Sequence, residues 1–266
     1  MRPTAIRRTA VAATVMSLAL LTAACGSDAG DAADKDGKAD GSASGKPAGK
    51  GADTSAVKAL TAAELEKVSL AQGDVKGHKI AKAGPADAIA AKDVTVDKAA
   101  CDVFADALMG AKAGTPAAST QRKVVSEPKK GGDKESDDPA EAFKAAFDIT
   151  TTLTTLASYD GKGAEEVLAG LRTAATECAS GFTFTAAGSK QKISKIAEVP
   201  VKGGEEAVAW TVTVEADGEK SAMKLIQIRQ GATVASLTSL NLGASGAGGD
   251  FDLPTAVIDA QAGKLA

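Results

Sequence analysis

Residues 206–242 read EAVAWTVTVEADGEKSAMKLIQIRQGATVASLTSLNL, and this run determines the architecture of the chain. Val208, Trp210, Val212 and Val214 alternate with alanine or threonine, a period of two that is typical of a strand with one buried face. Asp217-Gly218 predicts a two-residue hairpin turn. Leu225, Ile226 and Ile228 then belong to a return strand, Gln230-Gly231 to a second turn and residues 234–242 to a third strand.

The sequence before this run predicts helices that alternate with strands. Thr61-Ala-Ala-Glu64 is a capping box that begins a first helix, and Leu253-Pro254 precedes a short last helix. Helical spacing predicts two further helices, over 97–109 and from Gly163 to about 179; apolar alternation predicts strands over 77–83, 120–127, 147–159 and 182–184. We therefore expect a single α+β domain over 59–266, a twisted antiparallel sheet with helices packed on one face. Val212 and Ile226 would lie between the sheet and these helices.

Two cysteines lie on the apolar sides of predicted helices. Cys101 shares its side with Phe104 and Leu108, and Cys178 shares its side with Leu171. Both sides should face the same sheet, so the sequence predicts a Cys101–Cys178 disulfide in an oxidising compartment. Two buried free thiols are the alternative.

The third cysteine, Cys25, follows a segment with the features of an export signal. Arg2, Arg7 and Arg8 precede an uncharged stretch, residues 10–24, which is too short to span about 30 Å of hydrocarbon. Small residues directly before Cys25 resemble the lipobox of bacterial lipoproteins, although Thr22 stands where leucine is usual. The resemblance implies that residues 1–24 are a signal peptide and that Cys25 carries lipid. Ordinary secretion with a free Cys25 thiol is the alternative, and both the general secretory and the twin-arginine export routes stay open.

Residues 26–56 contain no Val, Ile, Leu, Met or aromatic residue. Such a composition cannot bury enough apolar surface to offset the entropy of ordering, so we expect 25–58 to be a lipidated cysteine followed by a disordered tether. Residues 128–139, rich in charge and without large apolar side chains, are expected to form an exposed loop.

Composition and motifs exclude several function classes. With 31 basic and 34 acidic side chains the net charge is −3, which disfavours nucleic-acid binding, and a single histidine, His78, disfavours a His-based metal or triad site. The Ser-x-x-Lys matches that begin at Ser126, Ser189 and Ser221 agree with chance, and Gly161-x-Gly163 lacks the third glycine of a nucleotide-binding loop. We expect His78 at the surface and Trp210 in the core. The sequence thus predicts neither an enzyme nor a cofactor.

The order of elements and the cysteine placement are similar to those of actinobacterial, high-GC Gram-positive surface lipoproteins, which resemble the extracellular sensor domain of PknH-type kinases. That domain has two disulfides around a cleft, whereas here only Cys101 and Cys178 could pair. The resemblance implies non-catalytic ligand binding or sensing outside the cell membrane, with an unidentified small-molecule, lipid or envelope partner and membrane lipid bound through the anchor. The alternative is an acyl-chain carrier with an apolar cavity; a hydrolase would need an apolar pocket with converging polar groups.

Overall fold

A computed structural model describes residues 57–128, 146–244 and 249–266 of the chain. Within these ranges there are four α-helices: α1 Ala62–Val68, α2 Asp102–Leu108, α3 Gly163–Glu177 and α4 Thr255–Leu265. The strands are β1 His78–Lys82, β2 Val94–Val96, β3 Ala118–Ser126, β4 Thr150–Ser158, β5 Phe182–Ala186, β6 Ser189–Val199, β7 Glu206–Ala216, β8 Glu219–Gln230 and β9 Thr233–Asn241. None of these helices combines the length and the apolar character needed to cross a membrane.

All nine described strands belong to one sheet in the order β1-β3-β4-β9-β8-β7-β6-β5-β2, and every neighbouring pair is antiparallel. The five strands from β5 to β9 follow one another in both sequence and space, as hairpin connections require. The predicted α+β class and antiparallel sheet are confirmed.

The β7–β8 hairpin forms where the sequence predicts it. Asp217 and Gly218 have φ angles of 52° and 84°, and Ala216 pairs with Glu219 across the turn. Positive φ at both central positions matches the right-handed twist of the flanking strands, and Asp-Gly is a pair that adopts it readily.

Helices cover both faces of the sheet, which corrects the expectation that they share one. Val212 packs in a core with Phe104 of α2 and Leu171 of α3. Ile226 packs in a separate core with Leu65 of α1 and residues of α4. Consecutive side chains of a strand point to opposite faces, so the burial of both Leu225 and Ile226 requires a cover on each side. We call the α2–α3 side face A and the α1–α4 side face B.

The capping box of α1 is present, with the Thr61 backbone N–H donating to Glu64 and the Glu64 N–H donating to the Thr61 hydroxyl. Two residues after Glu64, Glu66 accepts a hydrogen bond of 2.6 Å from the buried Arg122 on face B. Hydrogen bonds from Arg122, Thr120 and Lys82 lower the pKa of Glu66 to about 2. This ion pair fixes α1 on β3.

Two strands were not predicted. In β6 only Ile193 is buried, and a bulge between Ile193 and Lys195 interrupts the alternation that marks a strand. β2 is only three residues long. The strand predicted over 147–159 begins later, at Thr150.

Candidate functional site

A cleft of about 890 Å³ opens at one end of the sheet. It is lined by the start of β1 and β4, the ends of β3 and β9, and the segment that leads into α4. A volume of this size is in the range that binds small molecules. The cleft is therefore the candidate functional site.

The floor of the cleft is a hydrogen-bonded set of strand ends centred on the buried Asn241. Its amide nitrogen donates to Asp148 at 2.8 Å and to the Thr150 hydroxyl at 2.9 Å, and its carbonyl oxygen accepts from the Ala244 N–H at 2.9 Å. The Ser126 hydroxyl accepts from the Thr150 N–H at 2.8 Å. These hydrogen bonds join the ends of three neighbouring strands and hold the polar groups of the floor in place.

The wall of the cleft is acidic. Glu127, Asp148, Asp250 and Asp252 all line it. An anionic ligand would be repelled here, whereas a cationic or neutral one would not.

Asp250 is held by Lys224, which projects from β8 on face B and is almost fully buried. The Lys224 ammonium donates to Asp250 at 2.7 Å and to the Thr211 hydroxyl at 2.8 Å, and it lies 5.3 Å from the centre of the Phe251 ring. Burial alone would raise the pKa of Asp250, but the hydrogen bonds from Lys224 and the Phe251 N–H outweigh it, and the pKa is lowered. Lys224 thus positions a charged and an aromatic residue of the cleft wall.

His78 lines the cleft instead of lying on the open surface, and on face B it is the cross-strand partner of Ser126. Its Nδ1 is 2.9 Å from the Lys76 carbonyl oxygen, which makes Nδ1 the donor; in the neutral ring Nε2 is then an acceptor. No hydrogen bond joins His78 to Ser126 in the described structure. They offer a ligand a hydrogen-bond acceptor and a hydroxyl.

The residues predicted from the sequence lie elsewhere. Cys101 and Cys178 form the predicted disulfide, with Cα atoms 5.8 Å apart in the core of face A. Trp210 is buried in the same core, as predicted. Cys25, the signal peptide, the tether and the loop after Pro128 fall outside the described residues. Among the residues described, no three His, Cys, Asp or Glu side chains are grouped to hold a metal ion.

Sequence reasoning missed the cleft because its lining comes from five short segments far apart in the chain, near residues 77, 127, 149, 242 and 253. The carboxylates stand singly in loops, and only the strand order brings them together. The one signal was indirect: Asp250-Phe251-Asp252 combines charge and an aromatic ring directly before a helix.

No protein-family model and no curated protein sequence matches the chain. Among solved structures it is similar to the extracellular domain of PknH from Mycobacterium tuberculosis, with 16% identity and a TM-score of 0.42 over 79% of this chain and 96% of that one. It is also similar to a putative uncharacterized protein from Mycobacterium smegmatis, with 10% identity and a TM-score of 0.33 over 77% of this chain and 93% of that one. Likenesses of this size carry no argument about function.

Proposed function

We propose that the protein is a lipid-anchored, extracytoplasmic module that binds a small ligand in the cleft without transforming it. The observation that carries this proposal is the cleft itself, about 890 Å³ with a hydrogen-bonded polar floor and an aromatic residue in its wall. The anchor rests on the lipobox resemblance at Cys25, and export is supported by the disulfide, which persists in oxidising compartments.

The charges of the cleft favour one class of ligand. Four carboxylates line it, and Lys224 neutralises Asp250 from beneath. A compact organic amine fits best, with its cation near Glu127 and Asp252 and its apolar part against Phe251 and Leu253. Neutral hydroxyl-rich ligands are compatible with the floor, whereas phosphates and carboxylates are disfavoured.

The hydrogen bonds of the polar groups in the cleft support ligand binding without catalysis. The Asp250 carboxylate is bound by Lys224, and the Ser126 hydroxyl accepts a backbone N–H. A general acid or base needs a pKa close to the working pH, but that of Asp250 is shifted the other way.

The carrier alternative receives no support from the space under α2 and α3. There, Ala107, Tyr159, Val167 and Val234 line a cavity of only about 10 Å³. This is close to the volume that one water molecule needs, so an acyl chain does not fit.

Native mass spectrometry of the protein purified from membranes of its own host tests the proposal. We expect acyl groups on Cys25 and a small, polar or cationic molecule that is released on unfolding. A Cys25→Ser variant should leave the membrane fraction. A fatty-acyl ligand would support the carrier, recovery of a chemically altered ligand would support an enzyme, and an unmodified Cys25 would contradict the anchor.

A further inference from the structure

A second surface, independent of the cleft, lies on face B of the strands β2, β5, β6, β7 and β8. The described helices on face B, α1 and α4, pack on β3, β4, β9 and the Ile226–Ile228 part of β8. They leave β2, β5 and the opposite ends of β6, β7 and β8 uncovered. The register places Thr185 opposite Lys190, Thr183 opposite Lys192, and Thr213 opposite Lys195. We call this surface the threonine–lysine face.

The charge of this face is opposite to that of the chain. Lys190, Lys192, Lys195 and Lys220 are all exposed on it, and its acidic residues are Glu215 and, directly after β2, Asp97, which accepts from the Thr183 N–H at 2.9 Å. Glu215 is shared by Lys192 at 3.6 Å and Lys220 at 3.1 Å, while Lys190 and Lys195 form no ion pair with the rest of the described chain. With four lysines against two carboxylates the face has a net charge of about +2, although the whole chain has a net charge of −3.

Between these lysines the face presents hydroxyl groups. Thr95, Thr183, Thr185 and Thr213 point outward, and none of their hydroxyls forms a hydrogen bond within the described chain. Strands in a sheet are about 4.8 Å apart, and every second residue along a strand is about 6.7 Å further on. Five strands thus produce a grid about 19 Å wide of hydroxyls and ammonium groups on a rigid surface.

The side chains on this face decide between classes of partner. The uncovered rows hold threonine, lysine, alanine, one glutamate and one aspartate, without a leucine, phenylalanine or tryptophan that could insert into a lipid interface or anchor a protein hot spot. Polar hydroxyls and separated cations instead match a hydrated partner that offers both hydroxyls and negative charge along its length.

We infer that the threonine–lysine face docks an anionic polysaccharide. The lysines bind its carboxylate or phosphate groups and the threonines bind its hydroxyls. Binding is electrostatic, so it weakens as salt rises, and release of counterions from about four lysine contacts gives a slope of about 3 in log Kd against log salt concentration.

The experiment measures binding of the full chain, in neutral detergent micelles, to polygalacturonate and to uncharged dextran of equal length by titration calorimetry. The test variant is K190Q/K192Q/K195Q/K220Q, and the matched control is K79Q/K92Q/K112Q/K202Q, whose four lysines are exposed elsewhere and make no ion pair in the described structure. We expect binding to polygalacturonate but not to dextran, a loss of about tenfold or more in the test variant, and less than about twofold in the control. Amide signals of β5–β8 should shift on binding.

Three results would overturn the inference. If the control variant loses as much affinity as the test variant, the attraction is a property of total charge and not of this face. If neither variant nor the unmodified chain binds polygalacturonate, the face has another role. If the amides of β5–β8 respond to micelles doped with phosphatidylglycerol but not to the polysaccharide, the partner is a lipid surface. None of these results bears on ligand binding in the cleft.

Discussion

Removal of the Cys101–Cys178 disulfide, which lies in the core of face A, should cause a large loss of stability. The bond joins residues separated by 77 positions. Without the disulfide the unfolded chain regains the conformational entropy of a loop of that length, which lowers the free energy of unfolding by about 4.5 kcal/mol. A domain of this size has a total stability of about 5–15 kcal/mol, so the bond accounts for a third or more of it.

The assay is urea and thermal unfolding followed by the fluorescence of Trp210. This residue packs edge-on against Phe104 at 5.5 Å and shares its core with both sulfurs, so it reports on the affected region. Reduced wild type differs from oxidised wild type only in the broken S–S bond and one added hydrogen on each sulfur, and we expect its thermal midpoint to fall by about 9–18 °C. The urea m-value should rise, because an uncrosslinked chain exposes more surface when it unfolds.

C101A/C178A is the companion variant, and dithiothreitol should have no effect on it. Its loss should exceed that of the reduced wild type slightly, since two buried sulfurs are also removed. If oxidised and reduced wild type differ by less than about 1 kcal/mol with equal m-values, the loop-entropy reasoning fails.

Three further predictions concern the ion pairs and α3. Glu66→Gln should destabilise the domain at pH 7 by about 1 kcal/mol, because Glu66 is partly exposed and water screens its pairing with Arg122. The folded-state pKa of Glu66 is lowered to about 2, so the ionised side chain stabilises the fold fully above its usual pKa, and this stabilisation is lost as the pH falls towards 2. The free energy of unfolding of the variant should therefore fall less steeply with pH in that window. The same pH dependence in variant and wild type would contradict this. Asp250→Ala should lower the free energy of unfolding in urea by about 2 kcal/mol, and Lys224→Met should lower it by less than about 1 kcal/mol. The reason is that only Asp250→Ala leaves a buried ammonium group without a counter-charge. Equal losses in the two variants would show that the pair acts through packing. Gly170→Ala, at an open position inside α3, should raise the melting temperature by the equivalent of about 0.5–1 kcal/mol, and a decrease would mean that the site is not open as described.

Local chemistry made much of the fold predictable. Thr61 and Glu64 specify a helix start through bonds between near neighbours, and Asp217-Gly218 specifies a turn through its backbone preference, so both were found from a few residues. Trp210 was placed in the core because its strand alternates regularly. These features depend on nothing beyond the segment that contains them.

The errors arose where distant segments decide the outcome. The sequence shows that Leu225 and Ile226 are adjacent and apolar. It does not show that helices cover both faces of the sheet, because that depends on where α1 and α4 pack. β6 was not predicted because its face-B side chains include exposed lysines and because a bulge between Ile193 and Lys195 interrupts the alternation of buried and exposed residues. The cleft could not be predicted at all, since it exists only once β1, β3, β4 and β9 are neighbours.

The proposal that the cleft binds a small cationic ligand is tested most directly by three probes of similar shape and different charge. The amide signals of the full chain in neutral micelles are followed by NMR during titration with 2-phenylethylamine, 2-phenylethanol and 3-phenylpropionate. We expect the signals of the cleft floor around Asn241 to move, with the amine binding best and the carboxylate worst. E127Q/D252N should lower the affinity for 2-phenylethylamine by about fivefold. The control E177Q/E219Q, which removes two exposed carboxylates outside the cleft, should leave this affinity unchanged. Preference for the carboxylate would contradict the ligand class, and no response of the cleft to any probe would contradict the binding site itself.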